Sequence, residues 1–172
     1  MTQTYRKNSF CSYCGHPFAP DQPWPRRCAH CQNVTYLNPL PVAVLLLPVD
    51  DGVLVIRRTI QPRLGHLALP GGFIELGESW QAAAARELHE EAGIMIDPQT
   101  IRDFRVHSAP DGTVLIFGLA PAMRSADLLA FIPTSEASER VVITEPVELA
   151  FSLHTQAITE FFQAIKLQPN SG

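Results

Sequence analysis

Residues 72–94 read GFIELGESWQAAAARELHEEAGI, and this stretch restricts the fold more than any other part of the chain. Ser79 is suited to N-cap a helix, four alanines in a row favour one, and Gly93 stands where a helix ends in a left-handed residue. The pattern predicts a helix over residues 79–92, entered from a glycine-containing loop. On that helix Glu87, Glu90 and Glu91 fall at i, i+3 and i+4 and share one face. Ala85, Leu88 and Ala92 form a neighbouring apolar face suited to packing on a sheet. Arg86 precedes Glu90 by four residues, within pairing distance. Three carboxylates on one face repel one another unless positive charge sits among them, and hard oxygen ligands at this density favour Mg²⁺ or Mn²⁺. R-E-L-x-E-E alone reads as a solvated acidic surface. With Gly72, Glu78 and Gly93 also at set spacing, coincidence falls to on the order of one chain in 10⁷.

All four cysteines lie in the first fifth of the chain, as Cys11-Ser12-Tyr13-Cys14 and Cys28-Ala29-His30-Cys31. Two C-x2-C knuckles separated by such a loop are the pattern of a tetrahedral structural zinc site. Two disulfides are the rival, but nothing in the sequence points to secretion, and cytosolic disulfides are rare. His16 and His30 read as bystanders, because four thiolates already fill the ligand set. The loop between the knuckles holds Pro17, Pro20, Pro23 and Pro25 and can bury little, so a metal must supply its folding energy. Pro39-Leu40-Pro41 reads as the hinge that follows, since helix and central strand both disfavour it. The expected organisation is a zinc-binding module at 1–38 and a larger domain at 39–172.

Within that larger domain, residues 42–49 (VAVLLLPV) read as a buried strand, and Asp51-Gly52 as the turn into a partner strand at 53–56. Further strands are expected at 72–76, 94–96, 104–107, 113–119 and 140–144, the pair at 104–107 and 113–119 being joined through Asp111-Gly112. Residues 152–166 carry Leu153, Ala157, Ile158, Phe161, Phe162 and Ile165 at helical spacing and predict a closing helix. Strands with two separated helices indicate an α/β fold, a mixed sheet sandwiched by helices.

Composition narrows the partners. The 172 residues are 46% hydrophobic, enough for one sizeable core. Lys and Arg number 13 against 17 Asp and Glu, a net charge of −4, which argues against a nucleic-acid partner held by phosphate neutralisation. No apolar run reaches the length of a membrane span, and the first ten residues lack a signal-peptide core. A soluble cytoplasmic protein is the expectation.

The 72–94 stretch resembles the Nudix box, G-x5-E-x7-R-E-U-x-E-E-x-G-U with U a bulky aliphatic residue, at every specified position. The resemblance extends over about residues 40–165. It implies an α/β/α sandwich and hydrolysis of a nucleoside diphosphate linked to another moiety. It further implies Glu87 and Glu91 as principal ligands of Mg²⁺ or Mn²⁺, with Glu90 a further ligand or supporting group and the Gly71 carbonyl another candidate. Arg86 and Glu78 would brace the loop–helix–loop. Such an acidic site binds an anionic diphosphate only through bridging cations. For the general base the resemblance leaves a box glutamate, Glu136 or Glu139, with Glu139 favoured. Homodimers are common in the family, so a homodimer is an expectation from the resemblance alone.

A zinc ribbon beside a Nudix domain is similar to two groups. NADH pyrophosphatases carry S-Q-P-W-P-F-P-x-S after the box, and nothing beyond Ile94 matches it; Gln22-Pro23-Trp24-Pro25 lies upstream. Enzymes acting on FAD or ADP-ribose are resembled by Arg57-Arg58-Thr59-Ile60-Gln61-Pro62, by LPGGFIELGES and by Leu149-Ala150-Phe151-Ser152. The sequence departs from the family at His66-Leu67-Ala68, where a tryptophan is common. A small-molecule nucleotide substrate, FAD or ADP-ribose, is therefore expected, with Arg57 and Arg58 as phosphate contacts and Phe73 as a stacking residue. NADH or NAD is the alternative substrate. A regulator that senses a nucleotide and uses the ribbon to bind nucleic acid is a second class.

Overall fold

The apolar run becomes two strands rather than one. The computed structural model, which describes residues 7–166, places β3 at Leu40–Leu46 and β4 at Pro48–Val49. Successive β3 residues face opposite sides: Ala43 and Leu45 join one core, Val44 and Leu46 another, all fully or almost fully buried. A strand buried on both faces needs a continuous apolar run rather than an alternating one. That explains the sequence VAVLLL.

The chain divides into two compact units, Met1–Pro39 and Leu40–Gly172. In the first, β1 (Arg26–Arg27) and β2 (Val34–Thr35) pair antiparallel. The Arg26 guanidinium lies 4.4 Å from the Trp24 ring centre, and His16 and His30 stack on each other at 5.4 Å.

In the second unit β5 (Gly52–Arg58), β6 (Leu67–Ala68) and β7 (Gly71–Phe73) lead to α1 (Trp80–Ala92). Then come β8 (Arg102–Ser108), β9 (Thr113–Leu119), β10 (Ala137–Ile143) and α2 (Ser152–Lys166). One sheet has the order β7-β3-β9-β8, with β3 and β9 parallel and the other pairs antiparallel. In the other, β10 pairs one edge of β5, while β4 and β6 pair with β5 as well. Ala83, Ala84, Leu88 and Ala92 of α1 pack with Leu45, Leu54 and Ile56, while Ala157, Ile158, Phe161 and Phe162 of α2 pack with Val44, Leu46 and Phe117. The architecture is the α/β sandwich with a mixed sheet. Among the described residues no helix is long and apolar enough to cross a membrane.

Three local expectations are corrected. Leu40 and Pro41 belong to β3 rather than to a hinge. The Leu40 N–H donates to Gly112 O, and the Pro41 carbonyl accepts from Ile74 N–H beyond the end of β7, so the missing proline N–H falls where the ladder has already stopped. The β4–β5 turn is Asp50-Asp51, with Asp50 in the left-handed region at φ 48°, and Gly52 already lies in β5 opposite Val49. Residues 94–96 are not a strand. Ile94 is buried and Met95 exposed, which imitates strand alternation. Both edges of β3 are already taken by β7 and β9, and the chain instead enters a short 3₁₀ turn at Pro98–Thr100, where the Asp97 side chain accepts from Gln99 N–H.

Helix α1 has the ends its sequence predicts. The Ser79 hydroxyl accepts from Ala82 N–H at 3.1 Å, and Gly93, at φ 69°, returns its N–H to His89 O. Because α1 carries the acidic face, its cap is coupled to the site. Replacing Ser79 with alanine is expected to cost about 1 kcal/mol, as loss of a serine N-cap does. Urea denaturation measures it, and an unchanged midpoint with unchanged slope would contradict the assignment.

Candidate active site and thiol cluster

Helix α1 lies against β7, and the two elements together build the acidic site. Pro70 O accepts from Leu45 N–H, so the alternation of an antiparallel ladder turns the N–H and C=O of Gly71 away from β3. That N–H donates to Glu91 Oε2 at 2.9 Å. Glycine is required here because a Cβ on residue 71 would stand 2.5 Å from Ala43 O. A Cβ on Gly72 would collide with the Glu87 carboxylate, so the bare backbone at 72 is what seats that group.

Arg86 organises the rest. Its guanidinium donates to Glu78 Oε1 at 2.9 Å, Glu87 Oε1 at 2.7 Å, Glu90 Oε2 at 3.1 Å and the Phe73 carbonyl at 3.1 Å. Glu78 also accepts from Glu75 N–H at 2.8 Å, which ties the loop onto the helix. The Arg86 hydrogen bond, helped by that N–H, holds the Glu78 carboxyl below its usual range. Arg86 itself is raised by the same partner and stays charged.

The three carboxylates on the helix are not equivalent. Glu91 is 2% exposed, and burial, reinforced by the charges of Glu87 and Glu136 and opposed by the Gly71 N–H, pushes its pKa up to about 8. Burial also raises Glu87, against the pull of Arg86. Glu90 is the outer member, with its side chain 54% exposed. Two carboxyls with raised pKa values thus stand together on α1, Glu91 buried and held by the Gly71 N–H, Glu87 largely buried and held by Arg86.

The other sequence candidates separate. Arg57 is committed to Glu139, across the β5–β10 pair, and to Gly65 O at 2.8 Å. Glu136, in the turn before β10, is the later glutamate whose charge acts on both Glu87 and Glu91. Its backbone is fixed by Thr59, whose N–H donates to Glu136 O at 2.9 Å. Arg58 and Phe73 line a cleft of about 890 Å³ beside Gly71 and Gly72, and Arg57 does not. Phe73 is 57% exposed there. The Arg58 guanidinium lies 5.2 Å from the Phe151 ring centre and donates through Nε to Pro62 O at 3.0 Å.

Sequence reasoning passed over three cleft residues. Arg63 adopts the left-handed region at φ 66° with no glycine to signal it. Phe151, one residue before α2, and His154, in its first turn, both line the cleft. His154 had a signal, being a polar residue at i to Ala157, Ile158 and Phe161 on an otherwise apolar stripe.

In the first unit the four thiols are gathered with every Sγ within 4.8 Å of the others, the only such set of ligating groups among the described residues. Cys11 and Cys31 stand 3.6 Å apart, as do Cys14 and Cys28. With Zn–S bonds of about 2.3 Å, a tetrahedron has sulfur–sulfur edges of about 3.8 Å. The cysteines are not joined as disulfides, and N–H groups of Tyr13 and Asn33 approach Cys11 and Cys31 at 3.5 Å. The donor set fits zinc. His16 and His30 stay outside it.

The NUDIX domain family model matches residues 38–149, more than half of the chain. The chain belongs to the Nudix family. The chain is 37% identical over 97 residues to the protein named NAD-capped RNA hydrolase NudC from Edwardsiella ictaluri, and 35% identical over the same length to its namesake from Salmonella typhi. Each match covers 56% of this chain and 37% of the relative, so the chain spans little more than a third of these proteins. A Nudix hydrolase structure from Nitrosomonas europaea superposes with a TM-score of 0.74 at 25% identity, covering 93% of both chains. A MutT/nudix family protein from Enterococcus faecalis superposes at 0.55 with 28% identity, covering 62% of this chain and 44% of that one.

The thiol cluster generates a stoichiometric expectation. Purified protein should carry about one zinc per chain, since a four-thiolate site is closed and holds one ion. Mercurial titration with a chromogenic chelator should release zinc in step with four thiols. Metal-free protein with all four thiols oxidised would contradict it.

Proposed function

We propose that this protein hydrolyses the diphosphate of an adenosine dinucleotide, FAD or ADP-ribose, to AMP and the phosphorylated remainder. The observation that carries the reading is the acidic face of α1, where Glu91 and Glu87 are held against the backbone of Gly71 and Gly72, the glycines that also line a nucleotide-sized cleft. In this reading residues 39–172 are the catalytic domain, and residues 1–38 form a zinc ribbon with no part in the chemistry.

Glu87 and Glu91 would hold Mg²⁺ or Mn²⁺, with Glu90 at the rim and the Gly71 carbonyl, directed away from β3, as a further ligand. A divalent cation bound there supplies Lewis acidity toward a phosphoryl oxygen and lowers the pKa of bound water. The protein's own groups do the rest. Arg86 fixes the Glu87 carboxylate and cancels part of the repulsion among the glutamates. Arg58, whose Nη groups make no hydrogen bond to a described residue, neutralises non-bridging phosphate oxygens beside Glu91. Glu136 takes the proton from the attacking water; we prefer it to Glu139, whose carboxylate is paired with Arg57. Phe73 and the apolar walls of the cleft seat the base.

The NAD-capped RNA hydrolase relatives favour a second substrate, the diphosphate of NAD or NADH, free or at an RNA end. Against it stands the missing S-Q-P-W-P-F-P-x-S segment after Ile94. A panel of FAD, ADP-ribose, NADH and NAD with Mg²⁺ and Mn²⁺ separates the two. We expect kcat/KM on FAD or ADP-ribose to exceed that on NADH, and a tenfold preference for NADH would reverse the choice. Glu87→Gln and Glu91→Gln should each lower kcat about a thousandfold or more, as loss of a metal ligand at a phosphoryl-transfer site does. Near wild-type turnover in both variants would dismiss Glu87 and Glu91 as the metal ligands.

A further inference from the structure

His154 is the polar member of an otherwise apolar face of α2 and is only 5% exposed. Its Nδ1 accepts the Leu69 N–H at 3.3 Å, so that nitrogen carries no proton, and the proton of the neutral ring belongs to Nε2. Phe117 meets the ring edge-on with centres 5.7 Å apart, and Phe151 lies at 5.0 Å, tilted by 58°. Together with the Leu69 bond these contacts fix the plane of the imidazole. Burial, with the Arg58 charge adding to it, draws the pKa down to about 3 and keeps the ring neutral.

Nε2 makes no hydrogen bond to a described residue. Among the described residues, the one side-chain nitrogen or oxygen sealed from solvent without a partner is His107 Nε2. His154 Nε2 is therefore not sealed, and His154 is one of the residues that line the cleft. Val42, Val44, Leu69 and Leu115 give the cleft apolar walls and Phe73 presents an exposed ring, while Arg58, Arg63, Asp111 and Glu148 supply its charged lining. A fixed, neutral donor in such surroundings suits an uncharged acceptor on a flat ring system. A phosphate would favour the cations Arg58 and Arg63 instead.

We propose that His154 is a specificity-determining residue, donating from Nε2 to a ring nitrogen or carbonyl oxygen of the heteroaromatic base seated in the cleft. The proposal rests on reading the cleft as the nucleotide site. A site built to donate to a base discriminates against analogues lacking the acceptor, because its own N–H is then left unpaired.

Two substitutions oppose this role to a purely structural one. His154→Asn keeps an acceptor for Leu69 N–H but withdraws the donor from the cleft. His154→Gln places an amide near the position of Nε2 and gives up the Leu69 contact. We expect His154→Asn to raise KM for ADP-ribose or FAD about tenfold, the effect of one lost hydrogen bond, with kcat within about twofold and little change in Tm. We expect His154→Gln to keep KM close to wild type although its Tm falls. The reverse order, with His154→Asn normal and His154→Gln impaired, would overturn the proposal.

A binding measurement separates failure here from failure of the hydrolase reading. In two-bond ¹H–¹⁵N spectra of the wild-type protein without divalent metal, His154 should show the Nε2–H tautomer, and AMP should shift its Nε2 resonance. A wild-type protein that turns over none of the panel but shows this shift rejects the activity and keeps the recognition role. An unmoved Nε2 resonance at saturating AMP, or failure of AMP to bind, overturns the proposal.

Discussion

Arg86 is the interaction on which the site depends. One guanidinium bonds Glu78 in the loop, Glu87 and Glu90 on the helix and the Phe73 carbonyl at the end of β7. It fastens the loop to the helix and offsets repulsion among carboxylates that would otherwise push them apart or drive them to protonate. Lysine could not replace it, because a point charge cannot meet four acceptors in a plane. Glu91 lies out of its reach, and the Gly71 N–H answers it instead. The excess negative charge that remains beside Gly71 and Gly72 is what makes this corner of the molecule chemically distinct.

The sandwich supplies the rigidity that such a charge cluster needs. Because β3 is buried on both faces, its alternate residues anchor α1 on one side and α2 on the other. The acidic face and the cleft residues of α2 are thus referred to the same strand, although 60 positions or more separate Glu91 from Phe151 and His154 in the chain. The short β7 is the meeting point. Its glycines admit the Glu87 carboxylate on one side, and they form part of the cleft on the other.

What was legible in the sequence was whatever local spacing decides. The ends of α1, the shared face of its glutamates, the strands at 104–107 and 113–119 and the clustering of the four thiols all follow from short-range pattern. What was illegible depends on partners far along the chain. Residues 94–96 alternate like a strand, yet they lead straight into the 3₁₀ turn at Pro98–Thr100 and pair with no strand among the described residues. Arg57 and Arg58 are indistinguishable in sequence, but strand alternation sends one to Glu139 on β10 and the other to the cleft. Glu136 and Glu139 differ in the same way: the register of β10 against β5 pairs Glu139 with Arg57, while the turn before it leaves Glu136 near Glu87 and Glu91. His154 is one polar position on a largely apolar helix face, and only the fold brings it to the cleft.

The central claim is that Glu87 and Glu91 of α1 form a cation site. The most direct test is a titration of Mn²⁺ followed by electron paramagnetic resonance, comparing the wild-type protein with a Glu87→Gln/Glu91→Gln double variant. The account predicts that wild-type protein quenches the free Mn²⁺ signal saturably, and that the double variant, folded by circular dichroism, leaves it unquenched. Equal quenching by both proteins would contradict it.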